Sequence, residues 1–271
     1  MKIAVIISTY NSPAWLEKVL WSYHFQSDKN FEIVIADDGS GPETKALIER
    51  FTEQTSMAVK HVWHPDDGFQ KTKILNKAIA TTDADYLVFT DGDCIAKPNF
   101  VAMHRAHAQP NYFLSGGYFK LCMQVSECAS IDDIKSQRVF DNQWLIEHGQ
   151  AKTLKRLKLV RSERFRRFMD VITPTKASWN GMNSSGWKSD LIAANGFDER
   201  MQYGGEDREL GERLFNAGLR SKQIRHQAVC VHLDHARGYV QPEMLVLNAK
   251  IRSETKAAKA TRTQYGLNNV E

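Results

Sequence analysis

Apolar and polar positions fall in alternating blocks along the first third of the chain. Ile3 to Ile7 is an unbroken apolar run, the pattern of a strand buried on both faces, and a polar loop from Ser8 to Pro13 ends it. From Ala14 to Phe25 the period changes: Leu16, Val19, Leu20 and Tyr23 sit at helical spacing. Phe31 to Ala36 predicts a second strand, ending in Asp37-Asp38-Gly39-Ser40-Gly41. Pro42, suited to a first helical turn, then opens a helix carrying Leu47, Ile48 and Phe51. Val59 to Trp63 predicts a third strand, and a loop through Pro65 and Gly68 leads into a helix with Ile74, Leu75, Ala78 and Ile79. Tyr86 to Thr90 predicts the fourth strand. Strand and helix in strict alternation imply an α/β, Rossmann-like and mostly parallel sheet with helices on both faces. Such a sheet gathers its strand-end loops, and with them its ligand site, on one edge.

Beyond Asn111 the pattern changes. Tyr112 to Phe119 predicts one further strand, and Ile131 to Phe168 a strongly charged helical stretch. Thr173 to Asn183 reads as a loop, Gly205 to Ala217 as a helix, and Ser221 to Val231 as one or two short strands. From about Met244 the tail is helical in composition and then polar, and is expected to fray.

The 271 residues suffice for one large domain and a sizeable core. A net charge of +4 spread over that length excludes a global nucleic-acid signature, so no nucleic-acid partner is expected. The four cysteines form no Cys-x-x-Cys pair, which suits reduced thiols in the cytoplasm. No apolar run is long enough to cross a bilayer. Residues 151–168 concentrate Lys152, Lys155, Arg156, Lys158, Arg161, Arg164, Arg166 and Arg167 against a single Glu163. Leu154, Leu157, Phe165 and Phe168 fall near one face of a helix drawn over them. One reading is a helix docked on an anionic membrane, placing the protein at the inner face of the plasma membrane; the other is a solvated face over the core.

Two acidic pairs carry the candidate chemistry. Asp91-Gly92-Asp93 ends the fourth strand, and side chains two apart on an extended chain point the same way. Hard carboxylate ligands suit Mg²⁺ or Mn²⁺, which can hold a diphosphate, although Asp-Gly-Asp is also ordinary turn chemistry. Gly204-Gly205-Glu206-Asp207 opens a later helix, where carboxylates are favoured by the helix dipole and a base can also stand.

The order and spacing of Ser8-Thr9-Tyr10-Asn11, Asp37-Asp38-Gly39-Ser40, Asp91-Gly92-Asp93 and Glu206-Asp207 resemble family 2 glycosyltransferases of the GT-A fold, from Met1 to roughly Asp234. The Glu206 to Leu210 region resembles a galactosyltransferase-like carboxyl-terminal region. The resemblance implies one domain over residues 1–243, with a nucleotide-binding half (1–110), an acceptor and catalytic half (111–243), and a helical tail (244–271). It implies a nucleotide-sugar donor, usually UDP-linked, a glycan or lipid-linked acceptor, and a setting in bacterial surface polysaccharide synthesis. It assigns Thr9, Tyr10 and Asp38 to the nucleoside and adds Asn11, Gly68, Asp91 and Gly92 to the donor site. Lys73 and Asn76 stand near the family's basic–Asn pair, three residues apart where the family has them adjacent, and a solvated Lys73 is the competing reading. Asn183 lies in a stretch where backbone approaches the sugar; beside it Trp179 is either a sugar-stacking face or a core anchor. Asp207 is the implied base, Glu206 a binder of sugar hydroxyls, and Asp93, Asp91 and His232 the metal ligands, with His235 competing for the last place. Two rivals stay open: a nucleotidyltransferase on a similar sheet, and a non-catalytic glycan- or membrane-binding protein on the same scaffold.

Overall fold

The computed structural model describes residues 1–236 and 240–267. Its elements run β1 (Ile3–Thr9), α1 (Pro13–His24), β2 (Phe31–Asp37), α2 (Pro42–Gln54), β3 (Val59–Trp63), α3 (Lys71–Thr81) and β4 (Tyr86–Asp91). There follow β5 (Cys94–Ala96), α4 (Phe100–His107), β6 (Tyr112–Ser115), β7 (Gly117–Lys120), α5 (Met123–Cys128), α6 (Ile131–Lys135), α7 (Asn142–Glu147) and α8 (Glu163–Ile172). The chain continues through β8 (Ser184–Trp187), α9 (Lys188–Ala193), α10 (Glu206–Asn216), β9 (Arg220–Gln223), β10 (Val229–His232) and α11 (Pro242–Ala257).

A seven-stranded sheet takes the order β3-β2-β1-β4-β8-β6-β9. β1 to β4 are mutually parallel, and β8 is antiparallel to both of its neighbours. The first strands are buried on both faces because successive side chains enter different cores. Ile3, Val5 and Ile7 pack with α1 and α2, whereas Ala4 and Ile6 pack with Ile74, Ala78 and Leu210 on the α3 and α10 side. Register sets the ends level: Thr9 pairs with Asp37, and Ser8 with Asp91. Three predicted loops thereby share one rim.

The predicted strand over 112–119 is instead two strands in two sheets. β6 joins the main sheet, while β7 joins β10 and β5 in a second, three-stranded one. The switch needs Gly116 and Gly117, where a Cβ would stand 2.0 Å from the Asn183 Oδ1 and 2.0 Å from the Arg225 carbonyl oxygen. The predicted helical stretch 131–168 is also divided. Gln137 and Gly149 take left-handed φ of 64° and 100°, and Ser130, Asp141 and Ser162 each cap a new helix. Residues 154–159 form a 3-10 turn, so no single amphipathic helix spans 151–168. Among the described residues no helix is long and apolar enough to cross a membrane.

As far as Leu267 the tail is packed rather than frayed; its last four residues, 268–271, lie outside the described residues. α11 lies against α10, and the buried Asn248 Nδ2 donates to the carbonyls of Gln202, Tyr203 and Gly204, each at 3.1 Å. Beneath it, Arg213 and Glu209 form a fully buried pair at 2.7 Å. Arg213 also donates to the carbonyls of Ala194 and Gly196, and Thr255 donates to Glu209. Arg213→Met strands the Glu209 carboxylate away from water without its cation. The expected loss is about 3–5 kcal/mol, a Tm fall on the order of 10 °C by calorimetry; an unchanged Tm refutes it.

Candidate active site

The rim is assembled from strand ends. At β1, Ser8 Oγ donates to Asp91 Oδ1 at 2.7 Å. Gly92 N donates to the Ser8 carbonyl at 2.7 Å, and a Cβ on Gly92 would press to 3.1 Å on Ser8 and Thr9. Glycine is therefore what lets the Asp91-Gly92-Asp93 turn close against β1. At β2, Asp37 Oδ1 accepts from Ser40 N at 2.9 Å, so this segment is indeed a closed turn. Gly39 at φ +91° approaches Asp66 too closely for any Cβ.

Around these turns the loops knit into one wall. Asn11 Oδ1 accepts from Gly41 N, and Tyr10 Oη donates to Asp66 Oδ2 at 2.8 Å. The Asp38 carboxylate sits 2.7 Å from His64 Nε2 and accepts from Gln70 N at 2.9 Å, and burial raises its pKa above the ordinary aspartate range. Thr9 Oγ1 is buried without a partner. Gly68, at φ +71°, lies in the same wall with open space around it.

The centre of the rim is Lys71, which sequence reasoning missed. Its Nζ lies 2.6 Å from Asp91 Oδ1, with both side chains about four-fifths buried. Burial disfavours the ammonium, but the charges of Asp91, Glu206 and Asp93 outweigh that cost and hold Lys71 protonated well above the usual lysine range. Gly181 lies beside both groups: a Cβ built on it would be 3.7 Å from Lys71 Nζ and 3.9 Å from Asp207 Cβ, ordinary contact distances. A signal did exist. Lys71 is the first residue of α3, where the helix dipole disfavours a cation, so its presence there calls for compensating anions.

Opposite stands the start of α10. Gly204 and Gly205, at φ 109° and 96°, turn the chain so that Glu206 and Asp207 enter the same space. Glu206 is 8% exposed and accepts from Gly204 N at 2.9 Å. Asp207 is less enclosed; it accepts from Gly181 N at 3.1 Å and from Arg208 N at 2.7 Å. Burial raises both carboxyls above their ordinary range, and for Glu206 the neighbouring Asp207 adds to the effect, with Lys71 opposing it in each case.

Asp93 belongs to a neighbouring cluster. His235 Nε2 lies 3.0 Å and His232 Nε2 3.6 Å from Asp93 Oδ2. Burial opposes the Asp93 carboxylate, but the His235 hydrogen bond and the charges of both histidines outweigh it, so its pKa falls below the ordinary range. Asp93, Cys94 and His232 bring ligand atoms within 4.8 Å of one another, and His232 Nδ1 is buried without a partner. Burial holds the Cys94 thiol far above its usual pKa and keeps it neutral, leaving carboxylate and imidazole as the donors suited to a divalent ion. Asp91 is not one of these three; its Oδ1 accepts from Ser8 and Lys71.

Three residues expected at the donor site are engaged inside the protein instead. Trp179 is fully buried against Phe89 and Phe113, a core anchor with no face for a sugar. Asn183 is fully buried, with Nδ2 on the Gly117 and Ala228 carbonyls and Oδ1 3.0 Å from His104 Nε2. Asn76 spends its amide on Phe197 and Glu199, holding the 197–199 turn. Lys73 lies part-buried on α3, one residue past the buried Thr72 and two past Lys71, and the central cation is Lys71 instead.

Comparison with known proteins gives two family matches: "Glycosyl transferase family 2" over residues 4–123 and "N-terminal domain of galactosyltransferase" over residues 166–236. Among curated relatives, the uncharacterized glycosyltransferase YfnE of Bacillus subtilis (strain 168) is 27% identical over 267 residues, 87% of this chain and 65% of that protein. Hyaluronan synthase of Pasteurella multocida is 25% identical, over 82% of this chain and 24% of its own length. The chain thus spans less than two thirds of either. Among solved structures, Staphylococcus aureus TarS 1-349 in complex with UDP-GlcNAc superposes with a TM-score of 0.62 at 17% identity, covering 96% of this chain and 69% of TarS 1-349.

Proposed function

We propose that this chain, which has the GT-A fold and whose residues 4–123 belong to glycosyl transferase family 2, moves a sugar from a nucleotide-diphosphate donor to a glycan hydroxyl with inversion. One observation carries the reading: at the strand-end rim the Lys71 ammonium lies 2.6 Å from Asp91, the charges of Glu206 and Asp207 from the start of α10 act on it across the same space, and the Asp93 cluster adjoins. The relatives and the UDP-GlcNAc complex of the structural neighbour support a UDP-sugar and a role in polysaccharide synthesis. The catalytic unit is read as residues 1–243, buttressed by the tail.

In this reading Asp207 removes the proton from the acceptor hydroxyl, its raised pKa suiting a base. Glu206 orients sugar hydroxyls from the α10 start. Thr9, Tyr10, Asn11 and Asp38 form the nucleoside wall. Lys71 holds Asp91 and the buried acidic residues in place and supplies positive charge beside the departing diphosphate. Asp93 and His232 fit a divalent ion, Mn²⁺ or Mg²⁺, with His235 beside them; when bound, such an ion neutralises charge on the leaving group.

An assay of UDP release from UDP-sugars, with a glycan acceptor and Mn²⁺, tests the reading. Sugar transfer with release of UDP supports it, release of sugar 1-phosphate favours nucleotidyl transfer, and no turnover of any donor favours a binding protein. The metal assignment has its own test in calorimetry of UDP with Mn²⁺ and after chelation. Chelation is expected to weaken UDP binding to the wild type at least tenfold, about the loss seen when a metal site is disturbed. Asp93→Ala is expected to give the weak value under both conditions, and a metal-dependent Asp93→Ala removes Asp93 as a ligand.

A further inference from the structure

A cavity of about 430 Å³ lies away from the rim, between the turn after β5, the turn after α6 and the start of α8. Its polar lining is Lys97, Asn99, Ser136, Gln137, Arg161 and Arg166, and no Asp or Glu is among its lining residues. Lys97 and Arg166 are each only 8% exposed. Arg166 Nε and Nη1 are shielded from solvent with no hydrogen-bond partner, and so is Asn99 Oδ1.

The two acids whose charges act on Arg166 spend their hydrogen bonds elsewhere. Glu163 pairs with Arg167 at 2.6 Å, and Asp170 holds His226 and Gln227 at 2.9 Å. Arg161 reaches Asp141 at 3.1 Å, but its side chain is 82% exposed and that pair is weak. Burial, and then the charges of Arg166 and Arg161, lower the Lys97 pKa to about 8, the mark of a cation without a counterion. A buried guanidinium with unmet donors is costly unless an anion meets them, and its planar fork matches phosphoryl oxygens.

We propose that this cavity is a second anion site, which takes a phosphoryl group between Arg166, Arg161 and Lys97. It is separate from the donor site and stands or falls independently of the transfer reaction. The extended chain from Asp93 to Lys97 spans about 13 Å, and Lys97 sits at the Val229 end of β10 while His232 is at the other. The phosphoryl group has two sources, a small phosphorylated solute or a phospholipid headgroup. The chain leading into and along α8 is compatible with the second: Leu154 and Val171 are 85% and 83% exposed, and Phe168 57%, and Lys152, Lys155, Arg164 and Arg167 fall in the same segment of sequence.

The test is thermal unfolding of the full chain with inorganic phosphate against chloride at matched ionic strength. Phosphate at about ten times its Kd is expected to raise the wild-type Tm by roughly 3 °C. Lys97→Met and Arg166→Met are each expected to lose that rise. Their Tm without phosphate should match or exceed the wild type, because each removes an uncompensated buried charge; a purely structural Arg166 would instead lower it. Lys71→Met, which touches only the donor site, should keep the phosphate effect. No phosphate effect on the wild type overturns the proposal, as does one lost in Lys71→Met but kept in Lys97→Met. Sedimentation with vesicles of phosphatidic acid in phosphatidylcholine separates the sources. Vesicle binding lost in Arg166→Met identifies the headgroup, and binding absent or unaltered identifies a soluble phosphoryl compound.

Discussion

Asp207→Asn is expected to lower kcat for sugar transfer about a thousandfold while leaving donor affinity within about twofold, the middle of the range for losing a positioned general base. The choice of Asp207 over Glu206 rests on access. Glu206 is the more enclosed and is tied to Gly204 N, whereas Asp207 is only part-buried and can meet an acceptor hydroxyl from solvent. Its two backbone contacts, from Gly181 N and Arg208 N, hold the carboxylate in one orientation before the acceptor arrives. Asparagine keeps the shape and one acceptor oxygen but has no useful proton affinity. One backbone bond is lost, at about 1 kcal/mol, so folding survives and the kinetic loss is chemical. Calorimetry of donor binding and steady-state rates on the same preparation separate the two effects. A variant that turns over at the wild-type rate removes Asp207 from the chemistry.

The first four strands and three helices were legible because their signals are local. An apolar run such as Ile3 to Ile7 needs both faces covered, and the shift to helical spacing after Pro13 supplies the cover. The later half was less legible because its breaks depend on backbone geometry. Ser130, Asp141 and Ser162 are cap residues visible in the sequence, yet the left-handed Gln137 between them is not, and charge at helical spacing disguised three helices and two 3-10 turns as one. Within the site, the placement of the acidic residues was legible, since Asp91 and Asp93 flank a glycine at a strand end and Glu206 and Asp207 open a helix. That of the amides and aromatics was not. Asn76, Asn183 and Trp179 stand close in sequence to the motifs, but composition cannot distinguish a ligand contact from a buried clamp. Lys71 was passed over for Lys73, although only the former begins the helix and faces the acids.

Lys71→Met carries the second large effect, and it separates two roles that the wild type joins. The substitution keeps most of the side chain's volume and removes its charge, so Asp91 loses its 2.6 Å partner and Glu206 loses a cation that favours its charged form. Positive charge beside the diphosphate disappears with it, and a fall in kcat/KM on the order of a hundredfold is expected from losing one such stabilising group. The pH profile gives a further readout. Lys71 now lowers the pKa of Glu206 and of Asp207 against burial, which raises both. Without Lys71 that opposition is gone, and both groups move further up. A base works only when deprotonated, so the acid limb of the kcat profile shifts to higher pH in Lys71→Met, and part of the lost rate returns as the pH is raised. If Lys71 were only a packing residue, the limb would stay in place and the loss would be equal at every pH. Lys71→Arg keeps the charge and should hold the limb near its wild-type position even where the larger fork costs activity. An unmoved limb in Lys71→Met would show that the ammonium does not act on the base, and the convergence of these acids on one cation would lose its catalytic meaning.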